Sequence, residues 1–290
     1  MPRAPSSLAV FAVTEGGARR VAARGDADGA MPATVHAALA GPGPAVYTAL
    51  RSHGRRGFLA LTAHLDRLAD SCRRCGLPAP DAARLRRALR AVVPASDDRG
   101  CMVRIEVRAT PPPRLDTGST VLLGLWPARA DDPGRRIDGV SAATAPGARR
   151  VLPAAKDSAW MTDRQQWLRD PAAAEHILLD PRGRMLEGFT SNLLAVADGV
   201  VHAPTTGVLP GVTMALVLRL CGDLGLPVVR RSWDGPATAL DELAITSSGR
   251  GIWPVTRLDG RPVGAGRPGP VTRRLVGAWD AAWAGWLEPA

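Results

Sequence analysis

The first third of the chain alternates between apolar and polar residues, changes to a helical period, and then alternates again. Six alternating segments are predicted to be β-strands: 7–13, 19–23, 45–51, 57–61, 102–108 and 121–126. The first four are expected to pair as two β-hairpins. Between the fourth and fifth of these strands, apolar residues recur every three to four positions. This period predicts one helix from about Thr62 to Gly76 and another from Asp81 to about Val93.

The second half has short strand patterns around one helical segment. The predicted strands are 176–180, 192–197, 200–203, 227–233 and 242–247, and the predicted helix is 213–224. A polar, proline-containing stretch at 127–138 lacks apolar periodicity and is predicted to be a linker. The pattern therefore predicts an α+β protein with an N-terminal domain at 1–126 and a C-terminal domain at 139–290.

Composition places the chain among ordinary globular proteins, with 46% hydrophobic and 22% charged residues. It has no run of eighteen apolar residues, and its first residues lack the apolar core of a secretory signal. We therefore expect a cytoplasmic protein without a membrane partner.

Four cysteines occur, and only Cys72 and Cys75 form a CxxC pair. A structural zinc site needs four ligands at paired spacing, and no second pair follows. The two cysteines continue the apolar stripe of the first predicted helix, so we expect core residues and no metal site.

A net charge of +10 is compatible with nucleic-acid binding. The arginines are nevertheless scattered along the chain, aromatic residues are few, and no nucleic-acid-binding motif is visible. We expect no nucleic-acid partner.

Lys156 is the only lysine among the 37 basic residues. Arginine serves wherever a cation is enough, but it cannot replace a primary amine that attacks a carbonyl, because guanidinium stays protonated. The sole lysine therefore indicates Schiff-base chemistry. The alternative is a lysine retained by chance on a solvated loop.

Four other segments carry groups that could bind a phosphorylated pyridine ring. Glu187, in EGFTSN, could pair with a protonated ring nitrogen. Val212 and Thr213, in LPGVT, open the predicted helix and could bind phosphate, with Ser248 of the TSSG turn as a second hydroxyl. Arg67, three residues after His64, could add a cation. Taken singly, these are also ordinary turn, cap or surface residues.

Together and in this order, the motifs from about Ala45 to Arg274 resemble the class IV aminotransferases, the fold type IV enzymes that use pyridoxal 5′-phosphate (PLP). The resemblance implies two domains, a small α/β N-terminal one and a larger pseudo-barrel. It implies that Lys156 binds PLP covalently, that Glu187 meets the pyridine nitrogen, and that four residues bind the phosphate. These four are Arg67, Val212, Thr213 and Ser248.

Substrate-side residues follow the family less closely. Tyr47 aligns with an aromatic position of the active site, and Arg108 with an arginine that binds the substrate carboxylate in some members. Thr48 stands where many members have glutamate, and Met214 replaces a common arginine. After the lysine the chain reads DSAWMTDR, so Trp160 and Asp163 are expected to reshape the substrate pocket.

The resemblance implies a homodimer that moves an amino group between an amino acid and a 2-oxo acid, with Lys156 as general base and acid. Two other functions stay open. One is a PLP lyase that releases pyruvate from aminodeoxychorismate, and the other is a non-catalytic module that binds PLP or a partner.

Overall fold

The computed structural model describes residues 8–22, 34–93, 100–128 and 133–290. The strands are β1 Ala9–Thr14, β2 Gly17–Val21, β3 Ala45–Arg51, β4 Phe58–Leu59, β5 Cys101–Arg108, β6 Val121–Pro127, β7 Val140–Ala145, β8 Glu175–Leu179, β9 Met185–Gly188, β10 Asn192–Ala197, β11 Val200–His202, β12 Val228–Val229, β13 Glu242–Ser247, β14 Gly251–Leu258, β15 Arg261–Pro262 and β16 Leu287–Glu288. The α-helices are α1 Val35–Leu39, α2 Leu61–Arg74, α3 Ala82–Val92, α4 Pro133–Ile137, α5 Trp160–Asp163, α6 Val212–Asp223 and α7 Pro270–Ala282.

The chain divides into two compact units. The first comprises Met1–Ala130, Ala155–Met161 and Ala284–Ala290, and the second comprises Asp131–Ala154 and Thr162–Trp283. This division differs from the predicted domain boundaries because two later segments join the first unit. Residues 156–158 pair with β3, and β16 pairs with β4.

The first unit contains an antiparallel sheet in the order β2-β1-β6-β5-β3. Side chains of α2 and α3 form one core cluster with the sheet, in which Leu68 and Leu89 are almost fully buried. Each such leucine stabilises the fold by roughly 1.5–3 kcal/mol relative to exposure. Asp81 caps α3 by accepting a hydrogen bond from the Arg84 N–H, as the sequence predicts.

The second unit contains a closed barrel of six strands. The order β10-β13-β14-β7-β8-β9 returns to β10 through a pairing of Asn192 with Glu187. Apolar side chains of these strands, among them Ile177, Leu193 and Ile245, form its core. The α+β class that the pattern predicts and the pseudo-barrel that the resemblance implies are both confirmed.

Some predicted elements differ from the structure. The segment 57–61 is reduced to β4, whose ladder is with β16, and only a single bridge connects Ser52 to Phe58. The predicted linker at 127–138 contains α4, while residues 129–132 of it lie outside the described residues. The apolar and polar patterns did not predict the strands β7 and β14 or the helix α7.

Candidate functional site

The segment that carries Lys156 is hydrogen-bonded to the outer edge of β3. The backbone N–H of Tyr47 donates to the Lys156 carbonyl at 2.9 Å, and Ser158 N–H donates to the Ala45 carbonyl at 2.8 Å. Since β3 ends the sheet, its open edge can accept this short antiparallel addition. The sole lysine is therefore fixed by backbone pairing and does not lie on a loose loop.

Tyr47 lies beside two cations. Lys156 Nζ is 4.9 Å from the centre of the Tyr47 ring, and Arg104 Cζ is 3.9 Å from it. The phenol hydroxyl lies 3.2 Å from Met161 Sδ. Tyr47, which the resemblance assigns to the active site, therefore lies beside the lysine in the first unit.

Arg67 lies on α2 against the polar side chain of Thr48 in β3. Its Nη2 donates to Thr48 Oγ1 at 3.0 Å, and Thr48 Oγ1 lies 2.8 Å from His64 Nδ1. Arg67 Nη2 also lies 3.4 Å from His64 Nδ1, and because a guanidinium can only donate, Nδ1 presents its lone pair there. His64 Nδ1 is then an acceptor, and the imidazole is neutral.

Burial and neighbouring charge favour the same state of His64. Desolvation of the fully buried ring, followed by repulsion from Arg67 and Lys156, lowers the pKa of His64 well below its ordinary value. The neutral ring can therefore hold the Thr48 hydroxyl in place as an acceptor for Arg67, and it adds no second positive charge beside the arginine.

Arg108 belongs to a buried ionic row on β5. Arg104, Glu106 and Arg108 alternate along one face of the strand. Arg108 Nη1 donates to Glu106 Oε1 at 2.6 Å, and Arg104 Nε donates to Glu106 Oε2 at 2.7 Å. Arg104 also donates to Ser158, two residues after the lysine, at 2.9 Å. The row has two cations and one anion, and Arg104 rather than Arg108 contacts the lysine-bearing segment.

In the second unit, Glu187 lies where the barrel closes and is almost fully buried. Its Oε2 accepts hydrogen bonds from the Leu209 N–H at 3.0 Å and from Asn192 Nδ2 at 3.3 Å. Arg150 Nη1 lies 3.5 Å from Oε1. These donors favour an ionised carboxylate, which the fit to a protonated ring nitrogen requires.

The start of α6 brings together the groups for which the sequence predicts phosphate binding. Its N-cap, Gly211, offers no side chain to the free N–H groups of the first turn, which begins at Val212. Thr213 Oγ1 lies 3.4 Å from Ser248 Oγ, so both predicted hydroxyls are together. A Cβ at Gly211 would overlap Asn192 Oδ1, which is why glycine is needed here.

Glu175 connects two turns of this group. Its Oε2 accepts from Ser191 Oγ at 2.9 Å and from Arg250 Nη1 at 3.2 Å. Thr190 donates to the same oxygen from both its N–H and its hydroxyl. The carboxylate thereby joins the turn before Asn192 to the turn after Ser248.

The predicted residues form two groups, one in each unit, and their chemistry fits PLP. The first group offers an amine and an arginine; the second offers a carboxylate, two hydroxyls and a helix N-terminus. Thr246 Oγ1 is an additional buried hydroxyl near Asn192, and it has no hydrogen-bond partner among the described residues. An aldehyde, a phosphate and a ring nitrogen are the groups that such side chains would bind.

Several contributors were missed by sequence reasoning, among them Ser71, Arg104, Arg150 and Glu175. Only Ser71 has a signal in the sequence, because it is a polar residue on the apolar side of the predicted helix α2. Arg104 lies on the polar side of its alternating strand, and Arg150 and Glu175 lie outside the predicted elements. Cys72 lies in the core beside Ser71, where desolvation raises the pKa of the thiol to about 11.

Over the described residues, no helix combines the length and apolar character needed to cross a membrane. Within that same part of the chain, no three His, Cys, Asp or Glu side chains are grouped as metal ligands would be.

Comparisons with solved structures show the fold. The structure of Escherichia coli branched-chain amino acid aminotransferase is similar with a TM-score of 0.73 at 23% identity, covering 98% of this chain and 97% of that chain. The T.th. branched-chain amino acid aminotransferase, solved with pyridoxamine 5′-phosphate, gives a TM-score of 0.73 at 22% identity, covering 98% of this chain and 96% of that chain.

Curated relatives match over a shorter stretch. The branched-chain-amino-acid aminotransferase of Salmonella typhimurium is 36% identical over 126 residues, which are 40% of this chain and 40% of that protein. The D-alanine aminotransferase of Bacillus licheniformis is 34% identical over 114 residues, 38% of this chain and 40% of the relative.

The model of the amino-transferase class IV family matches residues 45–258, well over half of the chain. This range contains every predicted cofactor-binding residue, from Arg67 to Ser248. The chain belongs to the class IV aminotransferases, the PLP-dependent enzymes of fold type IV.

Proposed function

We propose that this protein transfers an amino group between an amino acid and a 2-oxo acid, with Lys156 as the covalent anchor for PLP. The observation that carries the proposal is the fixed position of the sole lysine, which is paired to β3 through its carbonyl and lies beside Tyr47. The overall exchange balances, because the donor leaves as a 2-oxo acid and the acceptor leaves as an amino acid.

PLP, when bound, supplies an electron sink for the carbanion at the substrate Cα. Arg67, Val212, Thr213 and Ser248 are the residues that we assign to its phosphate, and Glu187 is assigned to the ring nitrogen. The buried donors around Glu187 support this, since they keep the carboxylate ionised.

Lys156 Nζ is the group that removes and returns the proton at the substrate Cα. Arg104 and Lys156 both lie against the Tyr47 ring, so the ring and the buried arginine border the side of the site from which the amine acts. Tyr47 and Arg108 are proposed to contact the substrate, although Arg108 already donates to Glu106 and to the Thr110 carbonyl.

Borohydride trapping tests the covalent anchor. Protein incubated with PLP, reduced and digested should carry the cofactor on the peptide with Lys156, and Lys156→Ala should carry none. Lys156→Arg is the matched control, because it keeps the cation and removes the nucleophile. An unmodified Lys156 in the wild type would refute the proposal.

A substrate panel tests the reaction. Branched-chain L-amino acids, L-glutamate and D-alanine are each supplied with a 2-oxo acid, because relatives are named for branched-chain and D-alanine transfer. We expect amino transfer with at least one pair. Pyruvate release from aminodeoxychorismate alone would instead favour the lyase, and no turnover despite trapped PLP would favour a non-catalytic module.

Cytoplasmic location, homodimer formation and the absence of a nucleic-acid partner stay predictions. Sedimentation equilibrium would measure the assembly state, and a salt-dependent DNA shift would contradict the absence of a nucleic-acid partner.

A further inference from the structure

Ser71 makes two hydrogen bonds of different kinds from a fully buried position on α2. Its hydroxyl donates to the Arg67 carbonyl at 2.9 Å, one helical turn earlier. Such a bond within a helix is common for serine. The same oxygen also accepts the backbone N–H of Lys156 at 3.1 Å, from a residue 85 positions later in the chain.

These bonds form a closed ring that includes Lys156 and Arg67 of the first unit. Lys156 N–H donates to Ser71, and the Lys156 carbonyl accepts from Tyr47 N–H on β3. The next residue of β3, Thr48, accepts from the Arg67 side chain, while Ser71 donates to the Arg67 backbone. Helix, strand and lysine segment are thus each bonded to the other two.

The link between the Lys156 segment and α2 depends on one specific side chain, Ser71. The backbone of Lys156 has one hydrogen bond to the strand and one to the helix, and the second is made through a single side-chain oxygen. A partly buried N–H that loses its acceptor is destabilised, so the segment is expected to move until the N–H finds another partner.

We propose that Ser71 is a positioning residue that fixes Lys156 relative to Arg67. This inference rests on the proposed function, in which the lysine anchors PLP and the arginine binds its phosphate. Both groups must reach one cofactor of fixed length, so a hydroxyl that joins their backbones sets the spacing between amine and guanidinium.

The test compares Ser71→Ala with Ser52→Ala. Ser52 is equally buried in the first unit, and its hydroxyl accepts the backbone N–H of Cys101 at 2.9 Å. Both variants therefore lose the same kind of bond, but only Ser71→Ala loses it at the lysine. Ser71→Thr keeps the hydroxyl and serves as the rescue. If Ser71→Ala does not fold by circular dichroism, Ser71→Cys replaces it, because a thiol is a much weaker acceptor of similar size.

Amide hydrogen exchange in PLP-free protein is the first readout. We expect exchange at Lys156 to be roughly tenfold faster or more in Ser71→Ala, and near the wild-type rate in Ser52→Ala and Ser71→Thr. Equal exchange at Lys156 in Ser71→Ala and wild type, or an equal increase in Ser52→Ala, would overturn the proposal.

Cofactor binding is the second readout. The dissociation constant for PLP should rise by roughly tenfold in Ser71→Ala, together with a shift in the pH at which the visible band of the bound cofactor titrates. Unchanged binding and titration would also overturn it. Failure of borohydride to trap PLP on wild-type Lys156 is a separate result that refutes the proposed function, whereas the exchange rates report on Ser71 alone.

Discussion

The two groups of site residues are held by different means. In the first unit, side chains contribute much of the support of the basic groups: Thr48 and His64 orient Arg67, and Ser71 binds the backbone of Lys156, which is also paired with β3. In the second unit, the acidic group and the phosphate-binding turn use main-chain N–H groups, as at Leu209 and at the start of α6. Main-chain donors depend on sequence mainly through glycine and turn residues, whereas side-chain holders depend on a particular residue at each position.

The largest expected effect is at Glu106, the sole anion between Arg104 and Arg108. Glu106→Gln leaves two buried guanidinium groups without a counter-charge, so we expect the free energy of unfolding to fall by about 3–5 kcal/mol. Asp70→Asn is the control, because Asp70 pairs with Arg73 and Arg74 at the surface and should cost less than about 1 kcal/mol. Urea denaturation measures both, and equal losses would remove the contrast between buried and exposed pairs.

Gly211 tests the main-chain side of the comparison. Gly211→Ala places a Cβ against Asn192, which also bonds to Glu187 and to the Leu209 carbonyl. We expect a loss of about 1–3 kcal/mol in unfolding free energy and weaker PLP binding. Gly222→Ala, in the same helix but facing open space, should be neutral or more stable by up to about 1 kcal/mol. Similar melting curves for the two variants would contradict this steric account.

Thr48 tests how much the first group of site residues depends on side-chain hydrogen bonds. Thr48→Val keeps the shape of the side chain but removes the hydroxyl that links Arg67 to His64. We expect a loss of about 1–2 kcal/mol in stability and a several-fold weaker affinity for PLP. Isothermal titration with PLP checks the affinity, and a variant that binds as tightly as the wild type would show that Arg67 needs no orientation by Thr48.

The last expected effect, which is seen only at acid pH, is the pH dependence due to His64. Burial lowers its pKa in the folded state, so the unfolded chain binds the proton first as the pH falls. Stability is therefore full above the ordinary histidine pKa and declines below it, with a slope of up to about 1.4 kcal/mol per pH unit from this group. The slope between about pH 6.5 and 5 should be smaller in His64→Gln, as measured by denaturation at each pH. An identical slope would mean that His64 does not contribute.

Much of the fold could be predicted because local patterns carry it. The helical periods that define α2, α3 and α6, and the aspartate that caps α3, are visible in the sequence. The pairing of β4 with β16 could not be predicted, since it joins residues more than two hundred positions apart. The pairing of 156–158 with β3 could not be predicted either, because it requires that this strand lies at the edge of its sheet.

By itself, the sequence determined which chemistry is available: one primary amine, a carboxylate in EGFTSN and a glycine before α6. Residue type decides nucleophilicity and charge, so these follow from composition and motif. Only the tertiary structure decided what holds them, because Ser71, Thr48 and Arg104 look like ordinary polar residues until folding buries them. A buried polar atom is stabilised by a hydrogen-bond partner, and the packing of distant segments decides which partner is within reach.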